Sequence, residues 1–294
     1  MNKLFTFAII VFLQSISNIY ASNPTIISSI NVETDYEFEG AKGIYITYKY
    51  NFLPIVEESH NDTILKDCTF KILTKLQTGN TIITPLAEFK TIKNNDGELE
   101  TINVLSSNDI TPTKYSKTIS KFIPYAALNL VQGEHTINVL TELTGKDATE
   151  KDINQKLEKK DITFTKPLTK KFFLDIDYIE VNTLTSGGNA WDYAIFKTDA
   201  PDVGVDVKLG GVSLFATNVN DTYMFSVGPK SRNIQFAISE NDNITILVQD
   251  IDVFFHDFIA KWNLSTKNKK AGVLYNHSKA GKNIKACNLN FKFE

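Results

Sequence analysis

Residues 244–260, ITILVQDIDVFFHDFIA, contain the pattern that decides the fold. The apolar, β-branched run 244–248 predicts a buried strand. Asp250 and Asp252 follow it and lie on the same side of an extended chain, because successive side chains alternate. Asp257 ends the same loop and is near enough in sequence to fold back over them. The stretch therefore predicts a strand that delivers several carboxylates to one end of a sheet.

A second strand with an acidic start lies upstream of this stretch. Asp202 directly precedes residues 203–209, VGVDVKL, which alternate as a strand does. If the two loops share one end of a sandwich, Asp202 faces Asp250 and Asp252. With Asp257, four carboxylates would then lie within a few ångströms, and each close pair would repel by roughly 1–4 kcal/mol. Such a cluster favours a bound cation.

Calcium is the cation that best suits these side chains, because it takes about six to eight oxygen ligands in a flexible shell. Magnesium prefers fewer carboxylates and more water. Zinc prefers His or Cys, and only His256 is near. An alternative without a metal stays open, since aspartates end strands and cap turns in ordinary sandwiches.

The rest of the chain is also typical of β-structure. It contains 20 Phe and 11 Tyr, and its apolar residues fall in short alternating runs such as residues 43–50 and 172–181. Residues 122–143 predict a turn at Gly133 followed by a strand. Runs of this length and spacing favour an all-β protein with two β-sandwich domains.

Residues 145–160, GKDATEKDINQKLEKK, interrupt this pattern with a polar, highly charged segment. The segment predicts a linker or a short surface helix at the domain boundary; the alternative is a charged arm that binds a partner. The expected division is a signal peptide over 1–21, a sandwich over 22–144, a polar linker over 145–168, and a second sandwich over 169–294.

The first residues have the features of an export signal. Lys3 precedes the apolar run 4–13, LFTFAIIVFL, which is too short to span a bilayer, and a small residue, Ala21, follows at the expected cleavage site. The alternative is a buried N-terminal strand. No later segment has the roughly 18 apolar residues of a membrane helix. We therefore expect an exported chain, periplasmic or extracellular, with no transmembrane segment after cleavage.

Residues 172–262 resemble a C2-type calcium/phospholipid-binding domain. The resemblance lies in an aspartate at a strand start, here Asp202, in an Asp-x-Asp step, here Asp250 and Asp252, and in a final aspartate before Phe-Ile-Gly, here Asp257. The resemblance implies an eight-stranded sandwich whose loops meet at one tip, where these aspartates bind calcium.

The match departs from the family in several places. Gly204 stands where the family has Tyr, and Ala260 where it has Gly. Asp192 and Asp199 are both candidates for the family's earliest loop aspartate. In the first half, the spacing of Leu, Gly, His, Ile and Val over residues 130–139 weakly resembles immunoglobulin-like and fibronectin-like sandwiches.

Two sets of side chains are candidates for contact with a membrane or another surface. Phe254 and Phe255 lie inside the acidic loop, where exposed aromatic rings suit a lipid interface; the alternative is that at least one packs into the core. Lys267, Lys269 and Lys270 belong to a stretch without acidic residues and suit anionic lipid or glycan. Solvated lysines on hairpin loops are the alternative.

Composition excludes several classes of protein. The chain has 31 basic and 34 acidic residues and a net charge of −3, which gives no sign of a nucleic-acid partner. Its two cysteines, Cys68 and Cys287, cannot make an iron–sulfur cluster or a four-cysteine zinc site. In an oxidising compartment they are a candidate disulfide, and two separate thiols are the alternative.

No nucleophile, phosphate-binding or metalloprotease motif is present in the sequence. We therefore expect a non-enzymatic, exported binding protein that binds calcium and engages a membrane or a protein partner. The alternative is a metal-independent adhesion or assembly protein.

Overall fold

The computed structural model describes residues 27–51, 56–59, 62–65, 69–93, 103–105, 116–146, 152–191, 200–226, 228–251 and 256–294. Within these ranges the chain forms strands, short 3-10 turns and loops, and no α-helix. The predicted all-β class is therefore confirmed. The expected signal peptide lies outside the described residues. Within the described residues, no helix has the length and apolar character needed to cross a membrane.

The described residues of the first half form ten strands, most of them in two main sheets. They are β1 (Ile27–Phe38), β2 (Ala41–Asn51), β3 (Val56–Ser59), β4 (Asp62–Leu65), β5 (Thr69–Thr78), β6 (Thr81–Ile82), β7 (Asn103–Leu105), β8 (Ser116–Pro124), β9 (Gly133–Lys146) and β10 (Asp152–Lys166). One sheet has the order β1-β2-β8, and the other has the order β10-β9-β5-β6, with β7 also on β5. β3 and β4 form a separate hairpin.

The two main sheets of the first half face each other across a buried core. Ile44, Ile46 and Tyr48 alternate along β2 and are fully buried. The hydroxyl of Tyr48 lies 2.6 Å from Oγ1 of Thr74 on β5, and Thr74 Oγ1 lies 3.3 Å from Oγ1 of Thr141 on β9. A hydrogen-bonded chain of side chains thus crosses from one sheet to the other.

The predicted polar linker is wrong over most of its length. Residues 152–166 form β10, which pairs antiparallel with β9 and is the outer strand of its sheet. The charged side chains of Lys156, Glu158 and Lys160 are exposed, whereas Ile162 and Phe164 are buried. An outer strand leaves much of its surface in water, so its composition resembles that of a linker.

The described part of the second half forms nine strands. They are β11 (Thr169–Val181), β12 (Val203–Leu209), β13 (Val212–Val219), β14 (Met224–Phe225), β15 (Ile234–Ser239), β16 (Asn243–Ile251), β17 (His256–Ser265), β18 (Tyr275–His277) and β19 (Ile284–Phe293). One sheet has the order β14-β11-β19-β18, with β15 also on β11, and the other has the order β13-β12-β16-β17.

β14 and β15 share one strand position in the second half. Both pair with β11, and β19 pairs with the same stretches of β11. Since a strand has two edges, β14 and β15 follow each other along the edge that β19 leaves open. The second half therefore has eight strand positions in two sheets of four, the number that the resemblance to C2 domains implies.

The two halves are in direct contact. The backbone N–H of Asn243 donates to the carbonyl oxygen of Gly40 at 2.8 Å, and the N–H of Ala237 donates to Oε1 of Glu88 at 2.9 Å. Buried apolar residues from both halves belong to one cluster.

Candidate functional site

The predicted acidic loops meet at one end of the second sandwich, which we call the acidic apex and define by Asp202, Asp250 and Asp257. β16 ends there, and β12 and β17 begin there. In the sheet register, Asp250 is the Cα partner of Val203 on one side and of Asp257 on the other.

Asp202 and Asp250 are in direct contact at the acidic apex. The backbone N–H of Asp202 donates to Oδ1 of Asp250 at 2.8 Å, and the N–H of Ile251 donates to the carbonyl oxygen of Asp202 at 2.9 Å. Asp250 is fully buried, whereas Asp202 is half-buried. Oδ1 of Asp202 accepts the backbone N–H of Asp221 at 2.8 Å. Each carboxylate therefore fixes the backbone of a neighbouring loop.

The other predicted ligands are less closely joined to this pair. Asp257 lies opposite Asp250 in the register, but its side chain is exposed. Asp192, Asp199 and Asp252 lie outside the described residues. The same is true of Phe254 and Phe255.

The described residues supply only part of a calcium shell. Asp202 and Asp250 offer the hard oxygen ligands that calcium prefers, but one oxygen of each already accepts a backbone N–H. Among the described residues, no group of three or more His, Cys, Asp or Glu side chains is arranged to hold a metal ion.

The predicted lysine contacts lie at the other end of the sandwich. Ser265, the last residue of β17, pairs with Asn243, the first residue of β16. Lys267, Lys269 and Lys270 follow Ser265, so the strand carries them about 30 Å from the acidic apex. The structure thus does not join these lysines to the acidic loop in a single surface.

Exposed apolar side chains instead surround the acidic apex. Phe258 on β17, Met224 on β14 and Leu184 after β11 are 59%, 50% and 50% exposed. Asn283 joins two of these segments, because its Nδ2 donates to the carbonyl oxygen of Phe258 at 3.4 Å and its Oδ1 accepts the N–H of Ser186 at 2.8 Å. Sequence reasoning missed this set, since its members lie on separate strands and loops.

Cys287 is a free thiol in the structure, and its pairing with Cys68 stays a prediction. It is buried in β19, and its Sγ donates to the carbonyl oxygen of Lys279 at 3.3 Å. Burial raises the pKa of this thiol, and the hydrogen bond to Lys279 partly offsets that rise. Cys68 lies outside the described residues.

The similarity of this chain to known proteins is limited. A solved structure described as a C2 domain aligns with 42% of this chain and 98% of its own length, at 15% identity and a TM-score of 0.31. No family model matches the sequence, and no curated protein matches it. At this identity and TM-score the likeness assigns neither a family nor site residues to this chain.

Proposed function

We propose that this chain is a non-catalytic, exported binding protein whose acidic apex binds calcium and then engages an anionic membrane surface. The observation that carries the proposal is the hydrogen bond between the N–H of Asp202 and Oδ1 of Asp250. It holds together the two sequence segments that resemble the calcium-binding loops of C2 domains.

The charge of the apex supports a role for a cation. Asp202, Asp250 and Asp257 come from three strands and lie at the same end of one sheet. Without a cation this end repels anionic head groups. A bound divalent ion is a large local charge that reverses the sign of that interaction.

The exposed apolar side chains support a membrane as the surface. Phe258, Met224 and Leu184 occupy the same end of the sandwich as the carboxylates. Exposed apolar groups beside a charged site are typical of contact with an interface. In this proposal calcium supplies the attraction to head groups, and the apolar side chains insert between them.

A second candidate function is adhesion or assembly without a metal. It is favoured by the hydrogen bonds of the two carboxylates, since Asp202 and Asp250 each accept a backbone N–H from a neighbouring loop. Those bonds give both residues a structural role at strand ends that requires no ion.

Thermal unfolding during a calcium titration tests the proposal. Calcium that binds only the folded protein raises the melting temperature by mass action. Asp250→Asn keeps an oxygen that can accept the N–H of Asp202 but removes the charge, so this variant should lose the calcium-dependent rise. The matched control is Asp206→Asn, because Asp206 lies in mid-strand and bonds Ser213 and Lys208 instead; it should keep the rise.

Sedimentation with phosphatidylserine vesicles separates the two candidates. Binding that appears with calcium and disappears with a chelator supports the first. The calcium-dependent function would be contradicted if millimolar calcium left the melting temperature of the wild type unchanged and if the chelator did not change vesicle binding. That result would favour adhesion or assembly without a metal.

A further inference from the structure

A small polar pocket opens at the end of the second sandwich opposite the acidic apex. We call it the base pocket. Its volume is about 200 Å³. The polar residues that line it and carry the argument are Lys170, Ser239, Asn241, Thr266, Asn268 and Lys269.

Three separate segments build the base pocket and are fixed to one another. Lys170 lies at the start of β11, Asn241 in the turn between β15 and β16, and Asn268 in the loop after β17. Thr266 joins the last two segments, because its Oγ1 donates to the carbonyl oxygen of Asp242 at 3.1 Å. The N–H of Lys269 donates to the carbonyl oxygen of Thr266 at 3.1 Å. The donors of the pocket are thus held in place by the fold.

The two lysines bring positive charge to the base pocket, and Glu240 on its rim offsets part of that charge. Nζ of Lys170 lies 5.3 Å from the ring centre of Phe293, and Nζ of Lys269 lies 4.0 Å from that of Tyr275. Neither ammonium forms an ion pair with a described residue, although the exposed Glu240 lies on the rim. The rings orient the ammonium groups and accept no conventional hydrogen bond, so N–H donors remain for a ligand.

Ser239 places a hydroxyl in the wall of the pocket. Its side chain is 1% exposed, and its Oγ makes no well-formed hydrogen bond within the described part of the chain, although the Asp242 carboxylate is near. The hydroxyl of Ser239 thus has the Asp242 carboxylate as a nearby acceptor and can also donate to a ligand in the pocket. The side-chain amides of Asn241 and Asn268 form no hydrogen bond to other described residues.

We propose that the base pocket binds a phosphate monoester group. Two lysines, one serine and two asparagines line a site large enough for a small tetrahedral anion. A phosphate monoester carries almost two negative charges at neutral pH and has three strong acceptor oxygens, which match this set of donors. The phosphate belongs either to a soluble ester or to a lipid head group, and the site is separate from the acidic apex.

Calorimetric titration of the full chain with inorganic phosphate is the first test. Lys170→Gln combined with Lys269→Gln should weaken phosphate binding by about tenfold or more, because it removes both charges. Ser239→Ala should weaken binding several-fold, because it removes one donor from the wall of the pocket, and its melting temperature shows that the variant is folded. The matched control is Lys171→Gln, the next residue on β11, whose exposed ammonium lies over Phe173 on the other side of the strand.

Vesicles containing phosphatidic acid distinguish the two sources of phosphate. Retention on these vesicles that the double variant loses and the control keeps supports the lipid. Binding of inorganic phosphate alone, with the same dependence on variants, supports a soluble ester. The proposal is overturned if the wild type binds neither probe at millimolar phosphate, or if Lys171→Gln weakens binding as much as the double variant.

Discussion

Asn243 donates its backbone N–H to the carbonyl oxygen of Gly40 at 2.8 Å, which joins the first residue of β16 to the turn between β1 and β2. Gly40 has a φ of +78°, and a Cβ at this position would lie 2.8 Å from Cβ and Nδ2 of Asn243. The two halves of the chain therefore meet at a point where both the backbone conformation and the available space require glycine.

Gly40→Ala should destabilise the protein by about 2 kcal/mol or more, because it adds a steric clash between the halves to the cost of a positive φ. Urea denaturation measures the change. Gly79→Ala is the matched control, since Gly79 has a φ of +58° and open space around it. It should cost about 1 kcal/mol. Equal losses in the two variants would show that the contact with Asn243 contributes nothing.

Asp242 lies at the same junction and should make stability depend on pH. It is almost fully buried, and its carboxylate accepts the backbone N–H groups of Ser239 and Lys42. Burial raises its pKa from 3.8 to about 7, these hydrogen bonds oppose the rise, and the charge of Glu37 adds to it. The folded protein thus binds this proton more tightly than the unfolded chain does. The stabilisation is complete below the unfolded pKa and is lost as the pH rises through about 7.

Asp242→Asn should therefore reduce the loss of stability between about pH 4 and pH 7, a loss of a few kcal/mol at most. Urea denaturation at several pH values measures this slope. Glu240→Gln, an exposed change nearby, should keep the wild-type slope. An unchanged slope in Asp242→Asn would contradict the assignment.

The free thiol of Cys287 leads to a prediction about the redox state of the two cysteines. The chain has two cysteines, and Cys287 is a free thiol in the structure, so we expect Cys68 to be a thiol as well. Unfolded, unreduced protein should titrate two thiols per chain with a thiol reagent, and Cys287 in the folded protein should not react, because it is buried and its pKa is raised. The absence of thiols before reduction would instead favour the disulfide.

Phe258 gives the sharpest test of membrane insertion at the acidic apex. Phe258→Ser should reduce calcium-dependent binding to phosphatidylserine vesicles by about tenfold, because the exposed ring no longer enters the interface. Leu274→Ser is the matched control. Leu274 is 64% exposed beside β18, at the opposite end of the sandwich. Equal effects of the two changes on binding would contradict insertion at the apex.

Alternation predicted the strands best where one face is buried. Residues 172–181 form most of β11, with Phe172, Leu174 and Ile176 buried as the pattern requires. The strand expected after the turn at Gly133 is β9, and Ile137 and Val139 lie in the core. In these strands apolar residues recur at every second position because side chains alternate between the two faces and one face is buried.

The sequence was less informative about how the candidate sites are assembled. The meeting of Asp202 and Asp250 follows from two strands that are neighbours in one sheet. Lys267 lies ten residues after Asp257 in the chain, but β17 carries it to the other end of the sandwich, so closeness in sequence was misleading. The apolar side chains around the apex come from distant segments, and only the pairing of strands brings them together.

The outer position of β10 has a consequence for how molecules of this protein meet one another. Among the described strands only β9 pairs with β10, a strand of 15 residues, and an open strand edge is a template on which a second molecule can add its own strand. Exposed Lys156, Lys159 and Lys160 oppose such stacking, because identical copies in register would place like charges side by side. The charged composition of this strand led to the prediction of a linker. In the folded protein the same charges oppose fibril growth at high concentration.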